Sequence, residues 1–162
     1  MTADEMFKEI GLERFCDSYQ SKLGHSDVKF LGSRLDFQFC CNEGICFDDF
    51  ANALKQSMIE RSLLNENKNI FSTDSSEKLF QELGFYCITR WERRNFVYMI
   101  DDSDEKDLDL TTLSFYKSIR FMCEEYRGKF NMIYVEFDLD GKIDFNKFIV
   151  AIKKKMEEEG WL

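Results

Sequence analysis

The sequence, 162 residues long, lacks proline entirely and contains a single histidine. Because proline is absent, no turn relies on a ring-fixed φ angle and no helix is interrupted by a missing backbone donor. No apolar run approaches the roughly 18 to 20 residues that are needed to cross a bilayer. Residues 1 to 5 are acidic, whereas a secretory signal begins with basic residues. These absences predict a protein without a membrane span that stays in the cytosol.

Basic residues are also fewer than acidic residues. The chain has 22 Lys and Arg residues against 31 Asp and Glu residues, which gives a formal net charge of -9. A polyphosphate backbone would be repelled by this charge, so direct binding to nucleic acid is disfavoured. The same acidity suits a basic protein as partner, including a protein that itself binds nucleic acid.

Motifs of catalysis are missing as well. The sequence contains no Gly-rich phosphate loop, no G-x-S-x-G and no H-E-x-x-H. Cys16 or Cys46 would pair with His25 as a nucleophile and its base, but no third group that orients the base is identifiable. The sequence therefore predicts a protein that is not an enzyme.

Aromatic and apolar residues, by contrast, are plentiful and occur in a repeated pattern. Apolar residues make up 44% of the chain and Phe alone occurs 17 times, which is ample material to offset the entropy cost of a packed interior. Residues 6 to 12 resemble residues 79 to 85, and residues 47 to 55 resemble residues 145 to 153. In the second pair the apolar residues recur at helical spacing, which predicts two amphipathic helices.

Segments rich in aromatic and β-branched residues lie between these helices and predict strands. They cover residues 28–30, 35–40, 86–91, 95–100, 113–122 and 132–138. The predicted fold class is therefore α+β, with two diverged helix-sheet-helix units whose antiparallel sheets are packed by amphipathic helices. The predicted divisions are a Cys-rich first unit with a reduced sheet (1–64), a polar connector (65–74), and a second unit with a larger sheet and a C-terminal helix (75–162).

Soft metal ligands are concentrated in the first unit. They are Cys16, His25, Cys40, Cys41 and Cys46. Tetrahedral zinc takes four N or S ligands. A unit too small for a sizeable core depends most on such a metal ion for its stability. Against a zinc site, the last three cysteines do not form a C-x-x-C knuckle. Two interpretations stay open, a structural zinc ion and thiols that are small buried apolar residues.

Carboxylates are concentrated in one short segment of the second unit. Six of them occur in residues 101 to 109, namely Asp101, Asp102, Asp104, Glu105, Asp107 and Asp109. Such a run is usually a solvated loop. If a partner rich in Arg and Lys orders the segment, the carboxylates would steer association and accept charge-assisted hydrogen bonds, partly imitating nucleic-acid phosphates. We therefore predict these six residues as the partner-binding site.

Residues 2 to 11, 151 to 153 and 158 to 161 resemble the opening and closing motifs of small phage and mobile-element accessory proteins of low-GC Gram-positive bacteria. Each of those proteins contains one helix-sheet-helix unit, so the resemblance implies a tandem duplicate here. Accessory proteins of this origin, size and acidity include anti-CRISPR inhibitors, which bind a Cas effector without catalysis. The resemblance carries over no site residues.

The resulting hypothesis is a non-enzymatic inhibitor of a bacterial defence nuclease, acting in the host bacterial cytosol on a basic surface of a Cas9-like effector. The acidic segment would bind the partner, and zinc would only hold the first unit together. The alternative is a zinc-stabilised phage module with a regulatory or scaffolding role. Neither hypothesis includes direct binding to nucleic acid or to a membrane.

Overall fold

The computed structural model describes residues 1–64, 70–90, 95–100, 117–124, 130–139 and 144–162. Within these ranges four α-helices form: α1 (Ala3–Glu9), α2 (Phe47–Glu60), α3 (Ser76–Glu82) and α4 (Phe145–Glu158). The two short helices are capped by the residues that precede them, Thr2 and Ser75. Each hydroxyl accepts a hydrogen bond from the backbone N–H of the third helical residue. None of the four described helices combines the length and the apolar character that crossing a bilayer requires.

The described residues also contain eight strands. They are β1 (Leu12–Phe15), β2 (Ser18–Ser21), β3 (Asp27–Leu31), β4 (Arg34–Cys40), β5 (Phe85–Arg90), β6 (Asn95–Ile100), β7 (Ser118–Glu124) and β8 (Phe130–Asp138). The strands form one sheet in the order β1-β2-β3-β4-β8-β7-β6-β5, and every neighbouring pair is antiparallel. Four helices with an antiparallel sheet confirm the predicted α+β class.

Along the chain, the described elements follow the order helix, four strands, helix, and this order occurs twice. The two sets of strands join where β4 pairs with β8, with Phe37 opposite Val135. One continuous sheet therefore spans both predicted units, where the sequence led us to expect two sheets. The predicted connector, 65–74, lies between α2 and α3, and its residues 65 to 69 lie outside the described part of the chain.

The first half contains more sheet than the sequence pattern indicates. Residues 12 to 40 form four strands, whereas we predicted two strands and a reduced sheet there. The additional strands, β1 and β2, have four residues each and read LERF and SYQS. Neither stretch shows the strict alternation of apolar and polar residues that identifies a half-buried strand. Pairing of β1 with β2, and of β2 with β3, provides the order that their own sequence does not predict.

Each half contains a corresponding pair of stacked aromatic rings. Phe7 of α1 stacks on Tyr19 of β2 with ring centroids 4.1 Å apart, and Phe80 of α3 stacks on Tyr98 of β6 with centroids 4.2 Å apart. Phe7 and Phe80 occupy matching places in the repeated pattern of the sequence. Descent of the halves from one duplicated unit stays a prediction.

In both halves a glutamate at the end of the long helix holds the start of the short helix. The backbone N–H of Ala3 donates to Glu60 Oε1 at 3.0 Å, and that of Ser76 donates to Glu158 Oε1 at 2.9 Å. The Ser76 hydroxyl makes a further short hydrogen bond to Glu158. A helix of seven residues is unstable in isolation, so these contacts and the burial of one face keep α1 and α3 folded.

All four helices pack on one face of the sheet. One cross-strand row on this face runs from β2 to β6, and each of its side chains is at most 3% exposed: Tyr19, Val28, Phe37, Val135, Ile119 and Tyr98. Phe50 of α2 lies 5.7 Å from Phe37 between ring centroids, and Phe148 of α4 lies 4.8 Å from Phe137. The core is therefore a single layer between the helices and the sheet.

Candidate protein-binding surface

The opposite face of the sheet carries no described helix, and we call it the open face. Because successive strand residues point to opposite sides, the neighbouring positions on each strand project from it. One cross-strand row on this face, from β1 to β5, consists of Phe15, Ser18, Lys29, Asp36, Glu136, Ser118, Met99 and Tyr86. The open face is thus a continuous surface supported by the hydrogen-bonded backbone of the sheet.

The open face has a polar part and an apolar part. Over β2, β3, β4 and β8 its side chains are mainly charged or polar, as the row above shows. Over β5, β6 and β7 it carries the apolar residues Tyr86, Val97, Met99 and Met122, beside the exposed Arg120. Tyr86 is 43% exposed. An apolar patch beside a charged rim is typical of a surface that binds a protein.

Carboxylates gather around Arg34 in the polar part. Arg34 donates from Nε to Asp36 Oδ1 at 2.9 Å and pairs through Nη2 with Glu136 Oε2 at 3.3 Å. The hydrogen bond to Asp36 raises the pKa of the Arg34 guanidinium above its ordinary value. Ser33 donates to Asp138 Oδ1 at 3.4 Å at the same end of the sheet. Lys29 of β3 lies opposite Asp36 and adds a second cation, so three carboxylates against two cations leave this end with a net negative charge.

Asp27 adds a carboxylate farther along the open face, opposite Gln38 on β4. Burial raises the pKa of the Asp27 carboxyl above its ordinary value, and the charge of Asp36 acts in the same direction while Lys29 opposes it. Of these two charges Lys29 acts more strongly on Asp27, so this lysine partly neutralises the negative charge of the open face.

The six carboxylates that we predicted as the partner-binding site, Asp101, Asp102, Asp104, Glu105, Asp107 and Asp109, lie outside the described residues. The nearest described residues are Ile100 before the segment and Lys117 after it. The backbone N–H of Ile100 donates to the carbonyl of Lys117 at 3.3 Å, and the next residue, Ser118, lies opposite Glu136 on β8. The acidic segment is therefore attached at the negative end of the open face.

The predicted metal ligands occupy separate elements. Cys16 is exposed in the turn between β1 and β2, Cys40 is buried at the end of β4, and Cys46 is exposed at the start of α2. Cys41 Sγ lies 3.8 Å from the sulfur of Met156.

The fifth predicted ligand, His25, contacts an aromatic ring. Its imidazole centroid lies 5.1 Å from that of Phe130. Within the described ranges, no three His, Cys, Asp or Glu side chains come together in a group that would hold a metal ion. The zinc site stays a prediction that native mass spectrometry would test through the mass of one bound zinc ion.

The thiols are expected to differ strongly in reactivity. Burial, with a smaller effect from the neighbouring Cys40, raises the pKa of Cys41 to about 12. At pH 8 very few Cys41 thiols would therefore be ionised, and the thiolate is the reactive form. A chromogenic disulfide reagent should label the exposed Cys16 and Cys46 first, and the partly buried Cys41 and the buried Cys40 much more slowly until denaturant is added.

A Cys16→Ser/Cys46→Ser variant provides the control for this labelling, because it should lose the fast reaction of these two sites. Mass spectrometry of alkylated peptides assigns each thiol. Fast labelling of Cys41 in the native protein would contradict the packing at α4.

The sequence pattern did not predict Arg34, Asp36, Glu136 or Asp138 as partner-binding residues. A signal was present in β4, which reads RLDFQFC: Arg, Asp and Gln alternate with Leu, Phe and Phe. Period-two alternation identifies one buried and one solvent-facing side of a strand. It does not identify the neighbouring strand, so the pairing that brings Glu136 beside Asp36 is not predictable from β4 itself.

Comparison with known proteins identifies no relative. No protein-family model, no curated protein and no solved structure matches this chain. The residues of the chain itself are therefore the basis for assigning a function.

Proposed function

We propose that this protein is a non-enzymatic inhibitor that binds a basic protein surface, of the anti-CRISPR type, with a Cas9-like nuclease as its target. The observation that carries the proposal is the negative end of the open face. There Asp36, Glu136 and Asp138 lie together beside the attachment points of the segment with six carboxylates. The net charge of -9 supports the same type of partner.

Inhibition would follow from occupying a surface. A nuclease that holds a nucleic acid presents Lys and Arg side chains to the phosphates, and carboxylates compete for the same cations. Charge complementarity increases the rate at which the two proteins associate. The apolar patch with Tyr86 and Met99 would be buried in the complex and would stabilise it. The paired backbone of the sheet reduces the ordering cost of binding.

The test removes charge from the negative end without changing shape. In the variant Asp36→Asn/Glu136→Gln/Asp138→Asn, affinity for a purified Cas9-like nuclease is expected to fall by roughly 10- to 100-fold, because rim charges contribute about 0.5 to 1 kcal/mol each. Surface plasmon resonance should show most of the loss in the association rate. The dependence of that rate on salt should weaken in parallel.

A matched control removes three carboxylates from the helical side. Glu9, Asp49 and Glu77 are exposed on α1, α2 and α3, and Glu9→Gln/Asp49→Asn/Glu77→Gln should keep the affinity within about threefold. Equal losses in both variants would reject the open face as the binding surface. Absence of any complex with wild-type protein, together with unchanged guided DNA cleavage, would reject the proposed target.

A further inference from the structure

A groove lies on the helical side of the molecule, between α2 and α4. Its volume is about 490 Å³, which falls within the range of about 300 to 1,000 Å³ that small ligands occupy. One wall is formed by α2, the other by α4, and residues 70 to 73 close one side. This groove is separate from the open face, because the sheet lies between them.

The charge of the groove is opposite to that of the chain. Three lysines line it, Lys55, Lys153 and Lys154, against two carboxylates, Asp48 and Glu157. Lys153 Nζ is paired with Asp48 Oδ2 at 2.8 Å. Within the described ranges, Lys55 and Lys154 have no ion pair and no side-chain hydrogen bond. The residues that line the groove therefore have a net charge of +1 in a protein whose net charge is -9, and Asp144 acts on Lys55 from outside the lining.

Lys55 is the group that would gain most from a ligand. It is partly buried, and this burial lowers the pKa of its ammonium, while the charges of Asp48 and Asp144 partly oppose the shift. A partly buried cation without a paired anion is energetically costly. An anion bound at Lys55 would remove that cost.

Apolar side chains complete the lining. Ala51 of α2, Val150 of α4, Ile70 and Phe71 are among the residues that line the groove. Phe71 is 93% exposed, an unusual position for so large an apolar ring. The groove thus offers cations for a head group and apolar surface for a body.

We propose that the groove between α2 and α4 binds a small amphipathic anion, a carboxylate with an aliphatic body. The carboxylate pairs with Lys55 and Lys154, and the aliphatic body lies against Val150, Ala51 and Phe71. Charge and apolar surface are both required, so the neutral ligand of the same shape binds much more weakly.

Octanoate and its neutral counterpart octanamide are the probes, each titrated into the full chain with methyl-labelled Ile and Val. Octanoate is expected to shift the methyl signals of Val150 and Ile70 saturably, while Val28 in the core between helices and sheet stays unchanged. Lys55→Gln should weaken octanoate about tenfold and leave octanamide unaffected. As the control, Lys29→Gln removes one positive charge from the open face and should change the affinity for neither octanoate nor octanamide.

Two results would overturn the proposal. One is octanoate and octanamide binding equally to the wild type, which would leave no role for the lysines. The other is octanoate shifting no groove methyl while an acidic amphipathic peptide does, which would make the groove a protein-docking site. A normal methyl spectrum for Lys55→Gln shows that the variant is folded, so that a loss of binding is not confused with unfolding.

Discussion

Phe50→Ala is expected to lower the free energy of unfolding by about 3 to 5 kcal/mol, the range typical of a buried Phe that is truncated in a core. Phe50 is fully buried on α2, and its ring lies 5.0 Å from Phe39, 5.7 Å from Phe37 and 6.4 Å from Phe7 between centroids. Truncation leaves a cavity that is bordered by these three rings and by Phe47 of α2. The rings belong to α1, α2 and β4, so the helices and the sheet are affected together.

Urea denaturation followed by circular dichroism measures this loss. Phe15→Ala is the matched control: Phe15 is 74% exposed at the end of β1 and should change the stability by no more than about 0.5 kcal/mol. Phe148 occupies the corresponding place on α4 and is also fully buried, so Phe148→Ala should cost about as much as Phe50→Ala. A cost below about 1 kcal/mol for Phe50→Ala would contradict the packing of α2.

Ile119→Asp is expected to unfold the protein or to remove most of its stability. Ile119 is fully buried on β7, where it lies opposite Tyr98 on one side and Val135 on the other. The substitution removes apolar burial and places a carboxylate among apolar side chains, which costs several kcal/mol. The total free energy of unfolding of a domain of this size is only about 5 to 15 kcal/mol.

The adjacent residue is the control for this substitution. Arg120 is exposed and projects from the open face, so Arg120→Asp should change the free energy of unfolding by no more than about 1 kcal/mol. Thermal melting of both variants distinguishes the two faces of β7. Similar losses for both would mean that the open face is covered as tightly as the helical face.

The contrast between Ile119 and Arg120 also bears on how the function is tested. If the open face tolerates a change of charge, then loss of binding in the Asp36, Glu136 and Asp138 variant reports on the interface and not on folding. The Arg34 ion pairs and the hydrogen bond from Ser33 to Asp138 involve the substituted carboxylates, so the triple variant also removes contacts within the fold. A melting curve for that triple variant should accompany every affinity measurement.

The long helices show how much the sequence predicts. The repeated patterns at 47–55 and 145–153 each belong to a helix, and the helices extend farther, to Glu60 and Glu158. The starts match because apolar spacing of three and four residues is a local property. The strand segments in the second half likewise overlap β5, β6, β7 and β8. Both results come from patterns within single elements.

The candidate surface was less accessible to prediction. Asp36 and Glu136 are 100 positions apart in the printed sequence and become neighbours only through the pairing of β4 with β8. The clustering of Cys16, Cys40 and Cys46 in sequence is the converse case, since the structure places them at a turn, a strand end and a helix start. Proximity along the chain did not determine proximity in space.

The sequence by itself determined the acidic charge, the α+β class, the two amphipathic helices and the alternation in β4, because each depends on composition or on residues a few positions apart. Only the tertiary structure decided that eight strands form one sheet, that all described helices cover the same face, and that carboxylates of β4 and β8 meet on the other. Strand pairing joins residues far apart in the chain, and its register is selected by burial of the whole apolar face and not by any local pattern. The acidic character that supports the proposed protein-binding function is thus a property of the sequence, whereas the surface proposed for binding is a property of the fold.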